Sequence, residues 1–443
     1  MTITELSKRG AVRAVILLAF LPACSPEGPE VGGGGDPGQQ PSAEAISTPP
    51  ALPLCSAVGR ETPSPLVIDT VASGLVVPWD LTLLPDGRIL VTERPGTVRV
   101  IDGQGLRDEP WATFEVSHVA EAGLLGIDIA PDFAESGQVY LTMTYEDVPA
   151  GPVRRTLAGI SRRLLRLIDP DRGQVWTNRV VRMTDERGRG VDPVVILDGI
   201  PSGPIHAGGA LRFGPDGMLH LGTGDGGVPD RARSETSWGG KILRIDPFTP
   251  HGSDGSAPIL ASGFRNAQGL AWMPASDAGL EAPLLAIDHG PTGLAREGFR
   301  RHQDELNHVV PGGDYGWPSA SGMEQVDGSL LPLVEWSPAI APAGLAVVDT
   351  PGSPWHGSAL VTGLRGAQLR RIVLDRATES EPPAAICEEA LLTLTHGRLR
   401  AIRAGLDGFI YVGTSNRDQR GTPGPGDDVL LRITIPTAED GTP

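Results

Sequence analysis

The stretch Ile205-His-Ala-Gly-Gly-Ala-Leu-Arg-Phe-Gly-Pro-Asp-Gly-Met-Leu-His-Leu-Gly-Thr-Gly-Asp-Gly-Gly227 reads as a histidine, a strand, a Pro-Asp-Gly turn, a second strand and an aspartate in a glycine-rich loop. In a hairpin the outer ends of the two strands come back together. His206 and Asp225 can therefore face each other at one rim of a sheet, where glycines leave room for a flat ligand. A carboxylate beside an imidazole fixes its tautomer and stabilises the cation formed when the ring takes a proton. The pair is a candidate general base with the acid that orients it. The bland alternative is two turn residues near a surface, since Asp and Gly are common loop formers.

The same pattern of alternating strand, turn and strand recurs along the chain. It appears as Leu81 to Glu93 followed by Thr97 to Ile101, and as Ile127 to Phe133 followed by Gln138 to Thr144, with Arg163 to Ile168 as its continuation. The quoted stretch continues into Lys241 to Asp246. Further copies are Gly269 to Pro274 with Pro283 to Asp288, then Gly344 to Asp349 with Ser358 to Thr362 and Leu369 to Leu374. The last is Ala401 to Gly413, closed by Val429 to Ile435. Alternation at period two marks antiparallel strands, and repetition at tens of residues marks a solenoid or a propeller. A radial array leaves only short, protected edges. The expected fold is all-β, a six-bladed β-propeller of four-stranded antiparallel blades over residues 66–436, with a disordered tail at 437–443.

Composition agrees with short strands and many turns. The chain has 443 residues with 59 Gly and 42 Pro. A formal net charge of -17 argues against nucleic acid as a partner, because phosphate backbones demand a basic face. At the N-terminus Lys8, Arg9 and Arg13 precede a short apolar run, and Leu21-Pro-Ala-Cys24 resembles a bacterial lipobox. Residues 1–23 are expected to be a lipoprotein-type signal peptide, leaving Cys24 lipidated and the protein in the periplasm or at the outer membrane. The alternative is an ordinary secretory signal; either way the protein is exported. Residues 24–65 read as a flexible Pro/Gly-rich tether. Cys55 and Cys387 remain, and in an oxidising compartment they are available for a disulfide, although sequence alone does not show that they meet.

Other polar residues fall at the same place in the repeat as His206. If the modules are blades, Glu121, His206, Arg265, Asn266, Arg398 and Arg400 converge on one axial mouth. Three guanidiniums around a histidine suit a planar anion bearing several carboxylates.

In this order the motifs resemble the soluble pyrroloquinoline-quinone-dependent aldose dehydrogenases of the glucose/sorbosone dehydrogenase family. The resemblance runs from Val77-Pro-Trp-Asp-Leu81 and Thr92-Glu-Arg-Pro-Gly96 through Phe264-Arg-Asn-Ala-Gln-Gly-Leu-Ala-Trp272, Asp304-Glu-Leu-Asn307 and Asp314-Tyr-Gly-Trp-Pro318. It implies that His206 is the base for the anomeric hydroxyl of an aldose, with Asp225 holding it, as hydride passes to pyrroloquinoline quinone. It places Arg265 near the reactive quinone oxygens and Asn266 beside it, and gives Arg398 and Arg400 the cofactor carboxylates. Arg365 falls where some relatives carry a cofactor-binding lysine, and Glu121 where many carry glutamine. A Ca²⁺ ion is implied at the carbonyls of Gly290 and Pro291, and a second, structural ion near Glu305 and the Tyr315 carbonyl. The loop Thr292 to Gln303 is longer and more basic than its usual counterpart.

Several polar groups carry blander readings. His220 is expected on a blade surface, Trp336 and Trp355 in the core between blades, and Arg154 to Arg166 on a solvated face. No nicotinamide fingerprint is evident, so the redox carrier comes from elsewhere. The expected function is an exported quinoprotein, monomer or dimer, that oxidises aldoses to aldonolactones and passes electrons to an external acceptor. Its rivals are a Ca-dependent lactonase and a non-catalytic cell-surface propeller binding a glycan or protein.

Overall fold

The computed structural model describes residues 52–437, except 64, 147–175, 249–258, 276–281, 294–296, 298–302, 327 and 376–381. The expected signal peptide, the lipid anchor at Cys24, the run Arg154 to Arg166, the strand at Arg163 to Ile168 and the C-terminal tail at 438–443 lie outside the described residues.

The described residues form six antiparallel sheets, each with four strands in line and one with a short extra strand. Blade one holds Pro78–Leu83, Ile89–Glu93, Thr97–Asp102 and Gly105–Leu106, with Ala112–Thr113 added. Blade two holds Leu124–Ile129, Gln138–Glu146, Trp176–Glu186 and Arg189–Pro201. Blade three holds Gly208–Phe213, Leu219–Thr223, Lys241–Ile245 and Ile259–Ser262. Blade four holds Ala267–Trp272, Leu284–Asp288, Asp304–Val309 and Val334–Trp336, and blade five Pro342–Val347, Ala359–Gly363, Gln368–Asp375 and Ala384–Leu391. Blade six holds Leu399–Ala404, Phe409–Thr414 and Val429–Thr434, and its outermost strand is Ile68–Ser73, from the start of the domain. The first strand of every blade touches the first strand of both neighbours, which closes the ring and makes a six-bladed β-propeller.

The turns follow from Asp-Gly pairs. In blade three Asp216 Oδ1 accepts the Met218 N–H at 3.0 Å and Gly217 adopts φ +73. Blade one repeats this with Asp86, Arg88 and Gly87, and blade six with Asp407, Phe409 and Gly408. The side chain mimics a backbone turn while glycine takes the left-handed conformation. Each pair of neighbouring blades shares one apolar cluster. Leu90, Val100, Ile127 and Leu141 join blades one and two, for example, and Leu81, Val91, Ala401 and Leu430 join six and one. Inner strands pack backbone to backbone: a Cβ on Gly126 would lie 2.2 Å from the Gly209 carbonyl oxygen.

Three sequence expectations change here. His220 is 3 % exposed rather than on a surface; its ring meets Trp272 edge-on at 4.9 Å. The polar-looking face of its strand is covered because blades stack on both sides. The strand Ile68–Ser73 closes blade six, which the repeat pattern assigned to no module. Part of the expected tether is also docked, because Cys55 is bonded to Cys387 and Leu54 bridges Glu388 in the outer strand of blade five. Trp336 and Trp355 are core residues, as expected.

Four charges tie the inner strands together. Arg212 in blade three places Nη1 2.6 Å and Nη2 2.9 Å from the two carboxylate oxygens of Asp80 in blade one. Arg403 in blade six donates from Nη2 to Asp128 of blade two at 2.9 Å and from Nε to the Leu81 carbonyl at 2.8 Å. Removing one partner of a buried pair leaves an uncompensated charge. Arg212→Met should therefore cost about 3–5 kcal/mol of unfolding free energy, whereas Arg212→Met with Asp80→Leu should recover most of it. Urea unfolding of the two variants measures the difference.

Candidate functional site

All six inner strands carry a register shift just after their first residues: Pro78/Asp80, Leu124/Ile127, Gly208/Leu211, Ala267/Gly269, Pro342/Leu345 and Leu399/Ile402. A bulge bends the strand and re-aims its side chains. Repeated around a ring, it turns the segment before each inner strand toward the axis. Residues from the starts of four inner-strand segments, with loop residues beside them, thus meet around one open cavity. It is lined by Val77, Pro78, Trp79, Arg94, Glu121, Asn266, Gln268, His289, Leu364, Arg398, Arg400, Ser415, Asp418 and Arg420.

On one side stands the pair expected from sequence. His206 Nδ1 lies 2.7 Å from Asp225 Oδ1, with the ring almost wholly buried. The same oxygen accepts the Gly227 N–H at 2.7 Å, and Oδ2 accepts Trp317 Nε1–H at 2.9 Å. Burial by itself would raise the Asp225 carboxyl, but the His206 hydrogen bond and the nearby Arg265 charge hold it below the ordinary carboxylate range. An ionised Asp225 accepts from Nδ1–H, which in the neutral ring leaves the lone pair on Nε2. His206 adopts φ +54. Its backbone N–H is held by Glu121 Oε2 at 2.7 Å, and Gly224 leaves no room for a side chain, since a Cβ would lie 1.9 Å from the His206 carbonyl oxygen. Glu121 also stays ionised: burial opposes this, but His206 and His289 lower its pKa. Asn266 donates weakly to the same carboxylate at 3.4 Å and accepts the Gly208 N–H at 3.0 Å.

The opposite side is cationic. Arg400 donates to Gln268 Oε1 at 2.7 Å and lies 4.1 Å over the Trp79 ring. Burial, then the charge of Arg94, pushes the Arg400 pKa down to about 9. The Nε atoms of both Arg94 and Arg400 are buried without a hydrogen-bond partner. Arg398 donates from Nε and Nη2 to Asp418 Oδ2 at 3.0 and 2.7 Å. A buried arginine cluster with unsatisfied donors is matched by an anion with several carboxylates.

Not every residue expected at the mouth lines it. His206 and Arg265 stand one residue back, His206 through Glu121 and Arg265 through the His289 carbonyl, which accepts Nη1 at 3.2 Å. Arg365 is exposed, and its neighbour Leu364 lines the cavity instead. Gly290 and Pro291 follow His289, and the Gly290 N–H is held by Asp304 Oδ1 at 2.9 Å. Two backbone carbonyls there suit a hard cation. Glu305 is different: its oxygens accept the Gly322 N–H and the Asn307 amide, and burial next to Asp288 raises its pKa to about 8. Tyr315 spends its hydroxyl on the His308 carbonyl at 2.5 Å. Among the described residues no cluster of three or more His, Cys, Asp or Glu is arranged to hold a metal. The carboxyl of Glu305 accepts from the Gly322 and Asn307 N–H donors.

Much of the cavity lining went unassigned in the sequence. Trp79 and Arg94 sit inside motifs that were noticed, and Asp418 and Arg420 lie in the loop that follows Phe409–Thr414. His289 also lines the cavity, and its Nε2 contacts the Pro342 carbonyl at 2.6 Å.

A family model for Glucose / Sorbosone dehydrogenase matches residues 75–431, and the chain belongs to that family. The PQQ-bound aldose sugar dehydrogenase of Streptomyces coelicolor is 31% identical, with a TM-score of 0.64 over 85% of this chain and 100% of that one. The aldose sugar dehydrogenase YliI of Escherichia coli (strain K12) is 28% identical over 394 residues, covering 82% of this chain and 93% of the relative. Similarity extends to the Hedgehog-interacting protein of Mus musculus, 28% identical over 280 residues that cover 56% of this chain and 37% of that protein.

The under-compensated charge of Arg400 gives a test of the anion pocket. Arg400→Met should raise the melting temperature of the ligand-free protein by a few degrees, since an apolar isostere relieves a buried charge, and should weaken binding of pyrroloquinoline quinone at least about tenfold. Differential scanning fluorimetry with and without the quinone reads both effects.

Proposed function

We propose that this protein is an exported quinoprotein that oxidises the anomeric hydroxyl of aldose sugars to aldonolactones. Membership of the Glucose / Sorbosone dehydrogenase family supports a sugar dehydrogenase of the pyrroloquinoline-quinone type. The observation that carries the mechanism is the 2.7 Å contact between His206 and Asp225 beside a pocket lined by Arg94, Arg398 and Arg400.

The residues present suit the quinone. Arg398, Arg400 and Arg94 would hold its carboxylates, and Asn266 and Gln268 its polar edge, with Trp79 as a flat wall. When bound, the quinone supplies the two-electron sink for hydride leaving the anomeric carbon. Everything else falls to the chain. Asp225 keeps the proton of His206 on Nδ1, which presents Nε2 to the sugar hydroxyl. His206 takes that proton as the C–H bond breaks, and Asp225 stabilises the imidazolium. Glu121 and Gly224 hold the His206 backbone in its left-handed conformation, so the ring does not have to be positioned by the substrate. Ca²⁺ at the carbonyls of Gly290 and Pro291 belongs to the same proposal, as do a lipid anchor at Cys24 in the cell envelope and an external electron acceptor.

A second reading is a propeller that binds a protein partner without turnover, favoured by the similarity to the Hedgehog-interacting protein. A dye-reduction assay separates the two, with Ca²⁺ and quinone added or omitted across a panel of aldoses. Turnover that needs the quinone is expected, and a protein that neither binds quinone nor reduces dye would overturn the proposal. His206→Ala should lower turnover at least about 1,000-fold, on the scale of losing a general base. Quinone binding should change little, because the ring is a base and not an anchor; unchanged turnover would remove His206 from its role.

A further inference from the structure

Arg265 does not meet the cavity as a bare cation. Its Nε and Nη2 both reach Glu297 Oε1, at 3.1 and 2.6 Å, and the pair is sealed, with side-chain exposures of 2% and 0%. Glu297 is itself pinned: Oε2 accepts the Thr292 N–H at 2.8 Å and its hydroxyl at 2.9 Å. On the other side, Nη1 donates to the His289 carbonyl at 3.2 Å and the guanidinium lies 5.6 Å over the Trp317 ring. That same Trp317 donates to Asp225 Oδ2, and the Asp225 N–H donates to the Arg265 carbonyl at 2.8 Å. The guanidinium and the His206–Asp225 pair therefore share one rigid frame.

We infer that Glu297 is the positioning residue for Arg265. It neutralises the guanidinium and fixes its plane beneath Trp317, so that the cation is aimed by the protein rather than drawn to an anionic ligand. Two consequences follow from charge alone. The anion is left first to Arg94 and Arg400 across the cavity, whose Nε atoms have no partner, with Arg398 beside them paired to Asp418. On the His206 side Asp225 holds the ring and Glu121 its backbone, while Glu297 offsets the Arg265 charge, so that cation opposes a proton on the ring less than a bare one would. The inference rests on the proposed function, in that it takes Arg265 to work beside the base.

The test compares Glu297→Gln, Arg265→Gln and the double variant in quinone titration and in steady-state kinetics. The neutral amide keeps the size of Glu297 but loses the charge and offers an N–H where Thr292 now donates. Glu297→Gln is expected to lower kcat about 100-fold, the scale for an ångström of misplacement, with the quinone Kd and the sugar KM each within about threefold of wild type. Because Glu297 acts through Arg265, the double variant should lose no more kcat than Arg265→Gln alone. Wild-type kcat in Glu297→Gln, or losses that multiply in the double variant, would overturn the inference. Should Glu297→Gln fail to fold because it strands a buried guanidinium, Arg265→Met with Glu297→Met removes both charges. That pair should fold, bind quinone and turn over no faster than Arg265→Met, and wild-type turnover from it would equally overturn the inference. A wild-type protein that binds no quinone would sink the parent reading, whereas normal quinone binding and turnover in both wild type and Glu297→Gln would sink this inference alone.

Discussion

A blade of this protein has two apolar faces, and both are buried only when the ring is closed. The pairing of Ile68–Ser73 with Val429–Thr434 supplies that closure, joining the start of the domain to its end within one sheet. Everything at the mouth depends on it. Arg398 and Arg400 come from blade six and Trp79 and Arg94 from blade one and the turn after its second strand. These four share a pocket because the last blade is held against the first. The buried charges Asp80, Arg212, Asp128 and Arg403 sit across the same inner strands and bind blades one, two, three and six to one another. A polar network of this kind is costly when broken, and so it resists any slip of one blade past its neighbour.

The site built on that ring is polarised. Around His206 the ionised groups Asp225 and Glu121 sit below their ordinary range despite burial, because the imidazole and nearby cations favour their charged form. Across the cavity Arg400 is pushed the other way, and burial next to Arg94 works against its charge. An anion with several carboxylates relieves the second side and leaves the first to receive a proton. The arrangement keeps the cost of desolvated charge in the protein's folding, so little reorganisation is left for the moment of reaction.

Much of this was legible in the sequence, and what was missed has physical causes. Asp216-Gly217 and Asp86-Gly87 mark their turns because the mechanism is local. The His206–Asp225 contact followed from the hairpin that joins them. The strand Ile68–Ser73 gave no such signal, since its partner lies at the far end of the chain. His220 was misplaced because alternation reports polarity, while burial depends on whether a second blade covers the polar face. Glu297 is a single acid in a basic loop, and only the approach of that loop to Arg265 gives it meaning. Arg94 stood inside a noticed motif, yet its place in the pocket required blade one to be a neighbour of blade six.

The most direct measurement is a single-turnover experiment on the purified protein. Pyrroloquinoline quinone is titrated in while its absorbance is followed, and an aldose is then added without any external acceptor. One equivalent of quinone should bind per chain, and its spectrum should change to that of the reduced form as sugar is consumed. Quinone that fails to bind would contradict the pocket of Arg94, Arg398 and Arg400, and bound quinone left oxidised by every aldose offered would contradict the role given to His206 and Asp225.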